Sequence, residues 1–211
     1  SIASAGMIGR NSEGQALLCG EKNAKIMQGF NLGNSIKEYS EETVKGKILV
    51  FHSTNGTPSL IKSKFAYNCV VLGFVNMERV ANYLLELNED FIILCAGTNG
   101  EFSLEDTVCG GMLVSRLKKL AGRGKYILTD SSRGASKLYS AYKNDISKML
   151  HDSEHGQFLV SLGFSDDLAA CGEVDKYNML PVLRNGVIKS IEAFASDPKL
   201  TMKKVSQKSA G

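Results

Sequence analysis

Four short apolar runs constrain this chain more than anything else in it: Ala16–Cys19, Lys47–Phe51, Cys69–Phe74 and Phe91–Ala96. They are near-continuously apolar and rich in β-branched residues, as strands covered on both faces must be. Helical periodicity lies between and after them. Met77–Leu87 places Val80, Tyr83, Leu84 and Leu87 on one face. Ser103–Leu120 does the same with Leu104, Val108, Met112 and Leu113. Ser103-x-x-Asp106 reads as its capping box, and Lys118, Lys119 and Gly122 read as its end. Ser131–Tyr142, Asp145–Leu150 and His155–Leu162 are predicted helices, the last stopped by Gly163. Strands alternating with helices predict an α/β fold with a mostly parallel sheet. Within Met179–Ile191, Asn185-Gly186 separates two apolar runs and predicts a C-terminal β-hairpin, because both residues tolerate positive φ. The sheet is therefore expected to be mixed. One domain over residues 1–192 is expected, with 193–211 as a polar, flexible tail carrying Lys199, Lys203, Lys204 and Lys208.

Composition narrows the function classes. A chain of 211 residues with 43% hydrophobic content buries a sizeable core, which excludes wholesale disorder. The 25 basic and 22 acidic residues leave a net charge of +3, too balanced to argue for a nucleic-acid partner. No run approaches the roughly 20 apolar residues of a membrane span. The 5 cysteines, Cys19, Cys69, Cys95, Cys109 and Cys171, form no CxxC pair and read as reduced thiols of a cytoplasmic protein. The chain opens Ser1-Ile2-Ala3 without methionine, which reads as a processed chain or a fragment.

The chemistry is expected where the strands end. Lys47–Phe51 runs into His52-Ser53-Thr54-Asn55-Gly56-Thr57-Pro58, and Phe91–Ala96 into Gly97-Thr98-Asn99-Gly100-Glu101. Ligands of open α/β sheets bind beyond the carboxyl ends of the strands, so two Thr-Asn-Gly triplets at such ends predict a shared anion site. Glycine brings backbone close to a ligand, Thr and Asn add donors, and Pro58 suits a first helical position whose neighbouring amides point outward. The competing reading of each triplet is a tight turn with Asn in the left-handed region. Gln28–Ser35 is a third polar loop, containing Gly33, Asn34 and Ser35.

Glu21, Glu101, Glu105, Asp106, Asp130, Asp166 and Asp167 offer the oxygen ligands that suit Mg2+, which takes one or two carboxylates plus substrate phosphate. The alternative is that Asp106 only caps a helix and Asp166-Asp167 only start one. His151 and His155 are not the zinc motif HExxH, and the Gly-Lys pair Gly124-Lys125 lacks the rest of a P-loop. No GxGxxG or GxSxG motif occurs.

Taken in order, these pieces resemble the 2-phosphosulfolactate phosphatase family. The resemblance is carried by Leu17–Glu21, Gly29–Ser35 with Glu38-Tyr39, Gly46–Thr57, Gly73–Asn76, Cys95–Gly100 with Phe102–Asp106, Cys109-Gly110, His155-Gly156, Asp166-Asp167 and Pro181. It implies a Mg2+-dependent phosphatase that hydrolyses phosphosulfolactate to sulfolactate and phosphate on the route to coenzyme M. It also implies a three-layer α/β/α fold. The chain departs from the family in lacking its N-terminal strand and Asp/Arg segment. It also has Lys22 for Arg, Asn31 for Asp, Ile36 for Pro, His52-Ser53 for Thr-Thr and Ser131-Ser132 for Ala-Ala. A missing strand would leave a sheet edge open to pairing in a homodimer.

Phosphate-monoester hydrolysis needs accelerations up to about 10²¹-fold, whereas a helix N-terminus supplies at most about 2 kcal/mol, so a metal and an acid/base are required. On this reading Asn34, Ser35, Thr54, Asn55, Gly56, Thr57, Gly97, Thr98 and Lys22 bind the phosphate and substrate. Glu21, Glu105 and Asp106 hold Mg2+, and Asp130, His155 and Glu105 are catalytic. The ligand is a small phosphorylated organic acid. The alternative, motivated by the departures, is a catalytically impaired anion-binding or structural homologue.

Overall fold

A computed structural model describes residues 15–122 and 124–196. The chain runs β1 (Ala16–Lys22), β2 (Lys25–Ile26), α1 (Glu41–Val44), β3 (Ile48–His52), α2 (Gly56–Lys62), β4 (Cys69–Val70), α3 (Met77–Leu87), α4 (Leu104–Ala121), α5 (Asp130–Tyr142), α6 (Ile146–Asp152), α7 (Glu154–Ser161), α8 (Ser165–Cys171), β5 (Pro181–Arg184), β6 (Val187–Ser190) and α9 (Ile191–Ala195). The fold is α/β. Its strands form two three-stranded sheets among the described residues, in the orders β2-β1-β3 and β4-β5-β6.

In the first sheet β1 and β3 are parallel, in register from Ala16 opposite Ile48 to Gly20 opposite His52. The pairing needs Gly20: a Cβ there would lie 1.7 Å from the His52 carbonyl oxygen. β1 then turns back into the short β2 through Asn23 and Ala24, both at positive φ (55° and 58°). Two positive φ values in a two-residue turn match the right-handed strand twist, and asparagine tolerates them better than alanine does.

The second sheet contains the hairpin expected from Asn185-Gly186, whose φ values are 51° and 77°. Its outer partner is β4, antiparallel to β5. The run Cys69–Phe74 therefore forms a ladder only over Cys69–Val70, and Phe74 already belongs to a 3-10 turn.

Phe91–Ala96 corrects a second expectation: it belongs to no strand. Phe91 and Ile93 pack against the core while Ile92, 92% exposed, and Leu94 point outward. Continuous apolarity implied cover on both faces, and only one face is covered.

The core joins α3, α4, α6, the second sheet and α9 around Met77, Val80, Val108, Leu117, Met149, Leu180, Val182 and Phe194. Burying a side chain of this size contributes about 1.5–3 kcal/mol. Phe194 is fully buried, so the packed body continues through α9 and past residue 192, where the tail was expected to begin. Residues 1–14 and 197–211 of the expected domain and tail lie outside the described residues. Helix ends obey the caps: Ser103 accepts the Asp106 amide at 3.2 Å, Thr129 that of Ser132 at 3.2 Å, and Ser153 that of Gly156 at 3.0 Å. Among the described residues no helix is long and apolar enough to cross a membrane.

Candidate functional site

The two Thr-Asn-Gly loops meet. The amide of Asn99 donates to Asn55 Oδ1 at 2.9 Å, so the turns after β3 and after residue 96 lie side by side. They are built differently. In the first, Asn55 is right-handed (φ −110°) and α2 begins at Gly56, so Pro58 is the third helical residue, not the first. Ser53 and Thr57 close this loop on themselves. The Thr57 amide donates to Ser53 Oγ and the Ser53 amide to Thr57 Oγ1, both at 2.9 Å.

In the second, Asn99 (φ 55°) and Gly100 (φ 84°) form a tight turn closed by Thr98 and Glu101, with amide–carbonyl bonds of 3.2 and 3.0 Å. Here the tight-turn reading of the triplet is the one realised. Gly97 has φ 75°, and a Cβ on it would sit 2.6 Å from the Glu101 carbonyl oxygen.

A carboxylate pins each loop. Glu21, only 8% exposed, accepts the Thr54 amide at 2.8 Å on Oε1. Its Oε2 accepts the Ala24 amide at 2.9 Å and the Thr54 hydroxyl at 3.3 Å. It thus ties the β1–β2 turn to the first loop. Asp106 Oδ2 accepts the Gly97 amide at 2.8 Å and ties the second loop to α4. Burial pushes the Asp106 carboxyl above the ordinary aspartate range. The Gly97 amide opposes this, the neighbouring Glu105 charge adds to it, and the Ala96 amide and the His155 charge lower it. His155, on α7, therefore reaches the electrostatic surroundings of Asp106. Cys95 and Cys109 border the same carboxylate, and burial, with the Asp106 and Cys95 charges adding, pushes the Cys109 thiol up to about 12.

Placed on this geometry, the expected site residues divide. Asn55, Gly56, Gly97, Thr98 and Asp106 come together around the loop junction, with Glu105 next to Asp106 in the chain and His155 within reach of the Asp106 charge. Their donors are only partly open. The amides of Thr54, Thr57, Gly97 and Thr98 are bonded within the protein, whereas those of Asn55 and Gly56 have no bond among the described residues. Asn34 and Ser35 are at some remove in bonding terms. Ser35 Oγ donates to Asp167 at 3.0 Å, Lys37 pairs with Asp166 at 2.6 Å, and Asn34 lines a cavity of about 500 Å3 between the β1–β2 turn and residues Leu162 and Phe164. That cavity adjoins the first loop, since Ala24 in its wall and Thr54 share the Glu21 carboxylate. Asp130 opens α5, exposed, with no side-chain bond among the described residues. Lys22 stands on β1 at the turn, beside Lys25.

The carboxylates expected to hold Mg2+ differ in fit. Glu21 accepts three hydrogen bonds and so staples the β1–β2 turn to the first loop, with a lone pair left on Oε1. Asp106 and Glu105 are adjacent at the start of α4, and Asp106 retains lone pairs beyond its bond to Gly97. Among the described residues no three His, Cys, Asp or Glu side chains gather to hold a metal. A protein-only cage is not what Mg2+ requires: one or two carboxylates with substrate phosphate and water suffice. Lys25, which lines the same cavity as Asn34, lies in a Lys-Asn-Ala-Lys turn that reads in sequence as an ordinary polar hairpin.

The sequence profile of the 2-phosphosulpholactate phosphatase family matches residues 1–186. The protein of Caldanaerobacter subterraneus subsp. tengcongensis named "Probable 2-phosphosulfolactate phosphatase" is 36% identical over 178 residues, 84% of this chain and 73% of that one. Proteins of the same name from Thermotoga maritima (39% over 171 residues, 81% and 72%) and Symbiobacterium thermophilum (38% over 183 residues, 86% and 77%) are similarly related. The chain belongs to the 2-phosphosulfolactate phosphatase family.

Proposed function

We propose that this chain is a cytoplasmic phosphoric monoester hydrolase that releases phosphate from 2-phosphosulfolactate with the help of Mg2+, as in a route to coenzyme M. The observation that carries the reading is the Asn99–Asn55 hydrogen bond, which joins the two loops beside a buried carboxyl. The relatives' names supply the substrate.

The phosphate is received by the open amides of Asn55 and Gly56, with the Thr98 hydroxyl beside them. Thr54 and Thr57 act indirectly: their bonds to Glu21 and Ser53 fix the loop in its receiving shape. Asp106 and Glu105 are the residues that would hold Mg2+. When bound, the ion supplies positive charge to phosphate oxygens whose negative charge otherwise repels a nucleophile. His155, whose charge reaches Asp106, is the group that gives a proton to the departing alkoxide. Asp130, with no partner linking it to the junction, is the weaker candidate.

Phosphate release from 2-phosphosulfolactate, measured across a Mg2+ series and with chelator, tests the reading. Release that rises with Mg2+ is expected, and its absence at every metal concentration would remove the enzyme assignment. One observation favours a second reading, a catalytically impaired anion-binding homologue: four of the six loop amides expected to face the ligand are already bonded. Calorimetric binding of phosphate without turnover would select it.

A further inference from the structure

We propose that Lys22 and Lys25 form a two-cation site for the acidic groups of the substrate other than its phosphate, a carboxylate and a sulfonate. The inference rests on the phosphatase reading above and extends it. Lys22 and Lys25 are direct partners in the β1–β2 ladder, so their side chains leave the same face of the turn. Both are exposed, and neither has a carboxylate within ion-pair distance among the described residues. Like charges directly opposite one another on a sheet destabilise it. A bridging dianion turns that repulsion into attraction.

The pair is held in place. Ala24, between the lysines, keeps φ 58° although alanine disfavours it, and its amide is fixed by Glu21. The same carboxylate holds the Thr54 amide of the first loop. The two cations and the candidate phosphate loop are therefore fixed to one buried group. Lys25 and Ala24 also line the cavity of about 500 Å3, which has room for the organic part of a small acid. The acidic residue on that cavity, Glu38, already accepts the Gly33 amide at 2.7 Å. Lysine acts as a point charge, which suits sulfonate and carboxylate oxygens without demanding planar geometry.

Calorimetry on the full chain tests this with two probes, sulfolactate and inorganic phosphate. In K22M/K25M the sulfolactate affinity is expected to fall by about tenfold or more, with inorganic phosphate binding changed by less than about twofold. K22R/K25R should restore sulfolactate binding. The thermal midpoint of K22M/K25M should hold or rise, because a repulsion has been removed; a merely structural role would lower it. Unchanged sulfolactate affinity in K22M/K25M, equal loss of both probes, or a wild-type chain that binds sulfolactate no better than lactate would each overturn the proposal. Binding is read without turnover, so this outcome is separate from the phosphate-release result that judges the enzyme assignment.

Discussion

Two loops share the triplet Thr-Asn-Gly and differ in almost everything else. After β3 the triplet starts a helix directly, with Asn55 right-handed. After residue 96 it makes a tight turn, with Asn99 left-handed, and the helix waits until Leu104. The first loop is anchored from a distance, by Glu21 from 33 residues upstream. The second is anchored locally, by Asp106 only 9 residues downstream. The conformation of the triplet is decided by the residues on its C-terminal side and by the carboxylate within reach. The same residue type, a partly or fully buried carboxylate, staples one loop to a strand turn and the other to the start of a helix.

That contrast can be broken most decisively at Asp106. Asp106→Ala is expected to cut phosphate release by about a thousandfold, roughly 4 kcal/mol of barrier, by removing a Mg2+ ligand and freeing Gly97. Glu21→Gln should instead leave the Mg2+ concentration for half-maximal release unchanged. A shift in that concentration would show that Glu21 is a ligand after all and would erase the distinction between the loops. Glu21→Ala, which strands the Ala24 and Thr54 amides, should lower stability by about 2–3 kcal/mol in urea unfolding.

Smaller effects sharpen the comparison. Asn55→Ala removes the acceptor that joins the loops and should cost about 1 kcal/mol in urea unfolding, whereas Asn55→Asp should cost less because an acceptor remains. The smallest effect is one of pH. Because burial raises the Asp106 pKa, this group favours folding below the ordinary aspartate value of 3.8, and the contribution is lost as pH rises through the raised value. Asp106→Asn abolishes the titration. In metal-free buffer its thermal midpoint should exceed the wild type's at neutral pH, and the gap should close as pH falls below that value. A gap that widens on acidification would reverse the assigned direction.

The range of each interaction decides how much of it is legible in the residues. Asn185-Gly186 announces its hairpin because turn chemistry is local. The helices Met77–Leu87 and Leu104–Ala121 announce themselves because capping and periodicity are local too. The loop junction is legible in two apolar runs ending in the same triplet, but its internal bonding is not: Ser53, Thr57 and the Asn55–Asn99 bond depend on neighbours in space. Phe91–Ala96 misleads because apolarity reports what a segment can bury, and Ile92 and Leu94 show that capacity is not use. Glu21 looks like a ligand for the same reason. A lone carboxylate near a glycine-rich loop has one appearance in sequence, and only the Ala24 and Thr54 amides disclose that it also staples two turns together.

The turn at Ala24 has an engineering consequence. An L-residue held in a mirror-image backbone state wastes free energy, and a glycine there would relieve about 1 kcal/mol of that strain. Ala24→Gly would also slacken the tether linking the lysine pair to the phosphate loop. If robustness and turnover move in opposite directions in that single variant, the molecule is spending durability on the accurate placement of its charges.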